Sequence, residues 1–157
     1  MSILSHAVHS VHTQPIKLPE FNTSDRARDI VAFGVYLPAV DVFLLKSEIH
    51  RATVTAANVN YEGSLTISAD LAELVELQEY ERVLVGNLSN GERFETYAIY
   101  GVRNQGTIQL NGATAHLGKP GDRLTITSFG SFDPEEAATH QPRVVVLDEK
   151  NRVVEQP

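Results

Sequence analysis

The chain has 157 residues, enough for one domain with a buried core and too few for two full ones. Hydrophobic residues make up 42% and charged residues 21%, a globular rather than a disordered composition. The formal charge of −7, from 20 acidic against 13 basic residues, argues against a general nucleic-acid binder. The absence of cysteine excludes disulfides, thiolate metal sites and cysteine nucleophiles.

Residues 1 to about 28 read as a tail, in which His6, His9 and His12 stand among Ser, Thr, Pro15 and Pro19 without periodicity. Three histidines with no further ligand cluster fit a histidine-bearing tail better than a metal centre, so no metal is expected. Met1 to Val11 carry neither Lys nor Arg nor a long apolar run, which does not support a secretory signal. The longest apolar stretch, Ile30 to Leu45, is interrupted by Gly34, Pro38 and Asp41 and is shorter than the ~20 residues a membrane-spanning helix needs. A cytoplasmic protein, with neither membrane nor nucleic acid as partner, is the expectation.

From Ile49 the pattern changes to short strands. Ala52, Val54 and Ala56 alternate with Arg51, Thr53 and Thr55, the period of a half-buried strand. Val59, Tyr61, Leu65 and Ile67 continue the apolar spacing on both sides of Gly63-Ser64. A helix is predicted from about Asp70 to Leu77, with Asp70 and Glu73 at capping-box spacing and Leu71, Leu74 and Val75 as its apolar stripe. Arg82–Leu88 and Arg93–Tyr100 read as two strands joined by Ser89-Asn90-Gly91, where Asn-Gly favours a type I′ turn. Further strands are predicted at Thr107–Leu110, Arg123–Phe129 and Arg143–Leu147, separated by Asn111-Gly112, Pro120-Gly121-Asp122 and Asp133-Pro134. The run Asp133-Pro134-Glu135-Glu136 reads as a turn and an acidic helix start. Many short strands with one or two short helices indicate a mainly β fold, a small barrel or sandwich. No phosphate-cradling glycine loop is present, and Ser64 is not in a nucleophile elbow.

Alone, Gly63-Ser64 reads as a β-turn; its surroundings add more. The run Ile49-His50-Arg51-Ala52-Thr53-Val54-Thr55, then Asn60-Tyr61-Glu62-Gly63-Ser64, resembles the processing region of the bacterial aspartate 1-decarboxylases. The likeness continues through Asn90-Gly91-Glu92-Arg93-Phe94-Glu95-Thr96-Tyr97-Ala98-Ile99, Asn111-Gly112-Ala113-Thr114-Ala115-His116 and Pro120-Gly121-Asp122, in order and without large gaps over residues 42–147.

The resemblance implies a six-stranded double-psi β-barrel over residues 40–147 and a homotetramer with active sites between neighbouring subunits. Residues 1–39 are then a flexible extension or a mis-called start, and residues 148–157 a C-terminal tail. It also implies cleavage at Gly63-Ser64 into a β-chain and an α-chain. Ser64 Oγ attacks the Gly63 carbonyl, a step that a glycine leaves unobstructed, and the residue becomes a pyruvoyl cofactor that captures the substrate amine as a Schiff base. The activity implied is decarboxylation of L-aspartate to β-alanine and CO2 for pantothenate and coenzyme A synthesis.

By the same resemblance Thr96 donates to the oxyanion during processing, with His50 and Tyr61 also assigned to that stage. Tyr97 is the proton donor, and Arg93 grips the substrate carboxylate, for which a planar fork is suited. Asn111, Gly112, Ala113 and Thr114 line the substrate pocket. Two positions depart from the family. Glu48 stands where a lysine is usual, with Lys46 two residues earlier as a compensating cation, so that Lys46 or Glu48 completes the candidate list. Thr114 stands where alanine is usual. These departures leave open a pyruvoyl decarboxylase for another amino acid, or a non-catalytic homologue with an assembly role, and the resemblance leaves open a maturation factor as partner.

Overall fold

The computed structural model describes residues 29–32, 35–38, 40–61 and 63–155. They fall into two units, residues 1–37 and 38–157. In the first, β1 (Asp29–Ala32) and β2 (Val35–Pro38) form a two-stranded sheet. The tail histidines His6, His9 and His12 lie outside the described residues.

The second unit is mainly β with two short helices, as the sequence predicts. Its elements are β3 (Val42–Thr53), β4 (Ala56–Asn58), β5 (Leu65–Ser68), α1 (Ala69–Leu74), β6 (Arg82–Asn87), β7 (Arg93–Gly101) and β8 (Ile108–Asn111). A 3-10 turn at Gly112–His116, β9 (Arg123–Phe132), α2 (Pro134–Thr139), β10 (Arg143–Leu147) and β11 (Val153–Glu155) follow. Nine strands form one sheet in the order β11-β10-β3-β9-β6-β7-β5-β8-β4. Six positions separate β3 from β4 in that order, about 29 Å in a flat sheet. Yet only Val54 and Thr55 join them, a link of roughly 10 Å. The sheet therefore curls until its β8–β4 edge returns to the end of β3, where Thr55 N–H donates to the Ile108 carbonyl at 2.7 Å. Such curvature is consistent with a small barrel.

Alternation puts one face of each strand inside. Ile49, Leu65, Ile67, Val83, Val85, Ile108, Leu110, Leu124 and Ile126 are all at most 1% exposed and form one core. Burial of this kind stabilises by roughly 1.5–3 kcal/mol per large aliphatic side chain. The strand predicted from Ile49 begins earlier, at Val42, because β9 runs on to Phe132 and pairs with it. In β3 the alternation is interrupted where Ile49 and Ala52 are both buried although three residues apart, and a bulge with Arg51 at φ +63° absorbs the offset.

Three local expectations need correction. Helix α1 is capped at Ser68 rather than Asp70, whose carboxylate instead accepts the Asn104 amide at 2.8 Å and lies 2.7 Å from the Ser68 hydroxyl. Leu74 faces outward, so Ala69, Leu71 and Ala72 carry the helix's burial, with Val75 buried just after its end. The β6–β7 connection is not a type I′ turn: Gly91 has φ +83°, but Asn90 is not in the left-handed region. The Asn87 and Asn90 side chains accept the Ser89 and Glu92 amides and hold the longer loop. The acidic helix start is as expected, with the Asp133 carboxylate accepting the amides of Glu135 and Glu136.

Asn151, in the tight link to β11, was not singled out by the sequence reading. It is 4% exposed at φ +56°. Its carboxamide oxygen accepts Thr53 N–H at 2.7 Å, and its nitrogen donates to Thr53 O and Gly106 O at 2.8 and 2.7 Å. Asp148 closes the same link through the Arg152 amide and guanidinium, which hold its carboxyl at about 2. Removing the carboxamide strands buried backbone groups, so Asn151→Ala should lower stability by about 1–3 kcal/mol. Asn151→Gly, which relieves the backbone but not the lost bonds, should recover only a minor part, as read from denaturant midpoints.

Candidate active site

Strand β5 lies between β7, which it meets in parallel, and β8, which it meets antiparallel; Leu65 pairs with Ala98 on one side and Leu110 on the other. Continuing that register back sets Ser64 level with Tyr97, and Gly63 level with Thr96. Gly63 has φ +131°, a backbone that favours glycine, and a Cβ built on it would press on Ile99 Cδ1, the movable end of that side chain.

The Ser64 carbonyl is held from the β8 side. Asn111 N–H donates to it at 3.0 Å, extending the ladder by one bond, and Thr114 Oγ1 donates to it at 2.7 Å. Asn111 is buried, its amide nitrogen donating to Thr66 Oγ1 at 2.8 Å and its oxygen accepting Gln109 Nε2 at 2.7 Å. Gly112, at φ +57°, lets the chain turn immediately afterwards; a Cβ there would lie 3.4 Å from Tyr61 O and 3.6 Å from Gly63 O. Ala113 is exposed beside it, and Tyr61 and Tyr97 are 48% and 40% exposed. Thr96 Oγ1 is buried with no hydrogen-bond partner among the described residues. An unmet hydroxyl of this kind costs about 1–3 kcal/mol.

A second group of predicted residues lies elsewhere. Lys46, Glu48 and His50 share the face of β3 opposite buried Ser47 and Ile49. His50 Nδ1 lies 3.2 Å from Glu48 Oε1 and 3.1 Å from Thr125 Oγ1. Thr125 pairs across β6 with Gly86, which pairs with Arg93. Leu84, Gly86, Arg93, Thr125 and Thr127 thereby line one outer groove of about 410 Å³. Arg93 is four residues from Tyr97, about 13 Å along the strand. Tyr61, Gly63, Ser64, Asn111, Gly112 and Thr114 thus lie together, the register continued from β5 sets Thr96 and Tyr97 level with them, and Arg93 stands farther along β7. A second concavity of about 470 Å³, between Leu74 and residues 141–145, holds no predicted site residue.

Lys46 does not stand free beside Glu48. Its Nζ lies 2.5 Å from Glu81 Oε2, which also accepts the Gln78 amide at 2.9 Å. Burial alone would raise the Glu81 carboxyl, but these donors outweigh it and hold it below its ordinary value. The sequence reading missed Thr66, Ile99, Glu81 and Thr125, whose roles are visible only once the strands are paired. No group of three or more His, Asp or Glu suited to a metal occurs among the described residues, and none of their helices is long and apolar enough to cross a membrane.

Residues 40–154 match the family model described as aspartate decarboxylase. The aspartate 1-decarboxylase of Acetivibrio thermocellus is 54% identical over 113 residues, 72% of this chain and 90% of that protein. That of Shouchella clausii is 51% identical over 112 residues, 71% of this chain and 88% of that protein. That of Thermoanaerobacter pseudethanolicus is 50% identical over 112 residues, 71% and 96% of the two.

The preference for glycine separates into two parts that can be tested in a Ser64→Ala background. Adding Gly63→Ala should lower stability by about 1–3 kcal/mol through the positive φ, beyond the steric clash. Adding Ile99→Ala as well makes room for the methyl group but leaves the backbone penalty. Denaturant midpoints of the three chains should therefore show partial recovery only.

Proposed function

The chain belongs to the aspartate decarboxylase family, and from that premise we propose that it is a carboxy-lyase that converts L-aspartate to β-alanine and CO2 after cutting its own backbone between Gly63 and Ser64. The product feeds pantothenate and coenzyme A synthesis, and a cytoplasmic site of action accords with that role. The observation that carries the self-cleavage reading is the backbone at the bond itself: Gly63 at φ +131°, followed by a serine whose carbonyl is fixed by two donors. An otherwise unpartnered Thr96 hydroxyl lies one strand away.

Each residue has a physical task in this reading. The Gly63 carbonyl, with no side chain beside it, is open to Ser64 Oγ. As the Gly63 oxygen gains charge, the Thr96 hydroxyl supplies the hydrogen bond that nothing else in its surroundings uses. Tyr61 and Gly112 pack the approach to the bond, and His50 is carried over as a further processing residue. A pyruvoyl group made from Ser64 supplies a ketone for the substrate amine and an electron sink for the departing CO2. The arrangement around residue 64 fits such a group, since Asn111 N–H and Thr114 Oγ1 already hold the carbonyl oxygen it would retain. Tyr97, level with Ser64 and partly exposed, returns a proton to the carbon that loses CO2.

Arg93, at the outer groove, grips a substrate carboxylate with its planar fork. In the homotetramer that the family resemblance implies, a neighbouring copy would bring it to the cleaved bond. Residues 40–147 form the catalytic body, residues 1–39 an extension to it and residues 148–157 its terminal segment. A helper protein for maturation is a further partner of this reading.

Intact mass gives the direct test of cleavage. Purified protein should contain two fragments split between Gly63 and Ser64, with no free amine on the larger. Ser64→Ala, lacking the attacking oxygen, should remain one folded chain; its cleavage would overturn the mechanism.

Glu48 bears on substrate choice. Lys46 is engaged by Glu81, and Glu48 stands beside His50, so this face of β3 presents a carboxylate where the family has a lysine. Glu48→Lys should remove a repulsion and add an attraction, lowering the apparent KM for L-aspartate while leaving self-cleavage intact. Steady-state β-alanine formation by matched, fully processed proteins checks this. An unchanged KM would place Glu48 outside the pocket. A better non-aspartate substrate for the wild type, lost in Glu48→Lys, would favour a decarboxylase of another amino acid.

A further inference from the structure

Thr114 occupies the position where the family resemblance leads to alanine, and its hydroxyl has a defined target. The residue is only 7% exposed. Oγ1 lies 2.7 Å from the Ser64 carbonyl oxygen and 2.9 Å from that of Asn111, and it accepts Asn111 N–H at 3.0 Å. A hydroxyl has one hydrogen to give, and the shorter contact assigns it to Ser64. Asn111 N–H, 3.0 Å from the same oxygen and shared with Thr114 Oγ1, is the second donor. Two donors thus converge on the one carbonyl adjoining the Ser64 Cα.

We propose that Thr114 Oγ1–H and Asn111 N–H form an oxyanion site for the Ser64 carbonyl, and that Thr114 speeds loss of the Ser64 Cα hydrogen during maturation. This rests on the self-cleavage reading above. The first step transfers the Gly63 acyl group from the Ser64 nitrogen to Oγ: the C–N bond breaks, a C–O bond forms, and the hydroxyl proton passes to the freed amine. Water then takes the Cα proton of the resulting ester. The electron pair left on Cα spreads onto the adjoining carbonyl oxygen, the atom that Thr114 and Asn111 hold. That pair next forms the Cα=Cβ bond as Cβ–Oγ breaks, and Gly63 leaves as a carboxylate with both electrons of the broken bond. Residue 64 is then dehydroalanine, and water displaces its nitrogen as ammonia to give the ketone.

Thr114 therefore acts after the acyl shift, in contrast to Thr96, whose hydroxyl serves the Gly63 oxygen before it. Loss of one oxyanion donor typically slows a step about 10²–10³-fold. With Asn111 N–H retained, a slowing of at least about tenfold is expected.

The test compares maturation of full-length wild type, Thr114→Val, Thr114→Ser and Ser64→Ala by intact mass, with and without hydroxylamine, which cleaves esters. Thr114→Ser keeps the donor and should mature near the wild-type rate; Thr114→Val, of similar volume, should mature at least tenfold more slowly. Hydroxylamine should restore chain breakage in Thr114→Val, leaving a free amine on Ser64, and should leave Ser64→Ala intact. Equal rates for Thr114→Val and wild type would overturn the proposal. Equal slowing of Thr114→Val and Thr114→Ser would do so too, by making shape rather than the hydroxyl the requirement. So would a Thr114→Val chain that hydroxylamine cannot break, because the block would then precede the ester. A wild type that never cleaves would instead overturn the parent reading, a result distinct from all of these.

Discussion

Everything at the candidate site depends on where β5 is held. It is a four-residue strand, yet both of its edges are paired, parallel to β7 and antiparallel to β8. Leu65 is therefore fixed from two directions and buried completely. The two residues before it inherit that position but not its regularity. Ser64 retains the β8 bond through Asn111, while Gly63 turns to φ +131° against Ile99. A rigid strand thus ends on a backbone that favours glycine, with polar groups from both neighbours at the break. Rigid support beneath a strained bond is the condition for strain to persist rather than relax.

The sequence displayed features whose physics is local. Turn residues such as Asn90-Gly91, Asn111-Gly112 and Pro120-Gly121-Asp122 bounded β6, β7, β8 and β9, and Asp133-Pro134 marked the start of α2. Features that need a distant partner were hidden. Asn151 looks like any turn asparagine until Thr53 and Gly106 come against its carboxamide. The Asp70 carboxylate has capping-box spacing but is taken by Asn104, thirty-four residues on. The site divides in the same way. The family resemblance pointed to Gly63, Ser64, Thr96 and Tyr97, and the β5–β7 register, continued back from Leu65, sets them level. That Thr114 would aim at Ser64 rather than at a substrate was not readable, because side-chain direction within a 3-10 turn depends on which strand lies beneath it.

Charge along β3 illustrates how pairing changes a reading of composition. Lys46, Glu48 and His50 follow one another on a single face, and by spacing alone Lys46 is a spare cation. Glu81 removes it from that role and the Gln78 amide reinforces the arrangement. Glu48 is left beside His50, whose ring nitrogen also meets the Thr125 hydroxyl. Whether a lysine two positions away substitutes for a missing one is decided by its partner, not by its distance.

The connection from β3 to β4 has a consequence for how the cut protein is held together. Both strands lie before residue 63, but neither pairs with the other: β3 sits between β9 and β10, and β4 lies against β8. A break at the Gly63-Ser64 bond would therefore leave the shorter fragment threaded through the longer one, with an interior strand embedded on both sides. Assembly would change molecularity at that moment. The intact precursor folds as a unimolecular process, whereas separated fragments must find each other, so recovery of the cut form from full denaturation would depend on protein concentration.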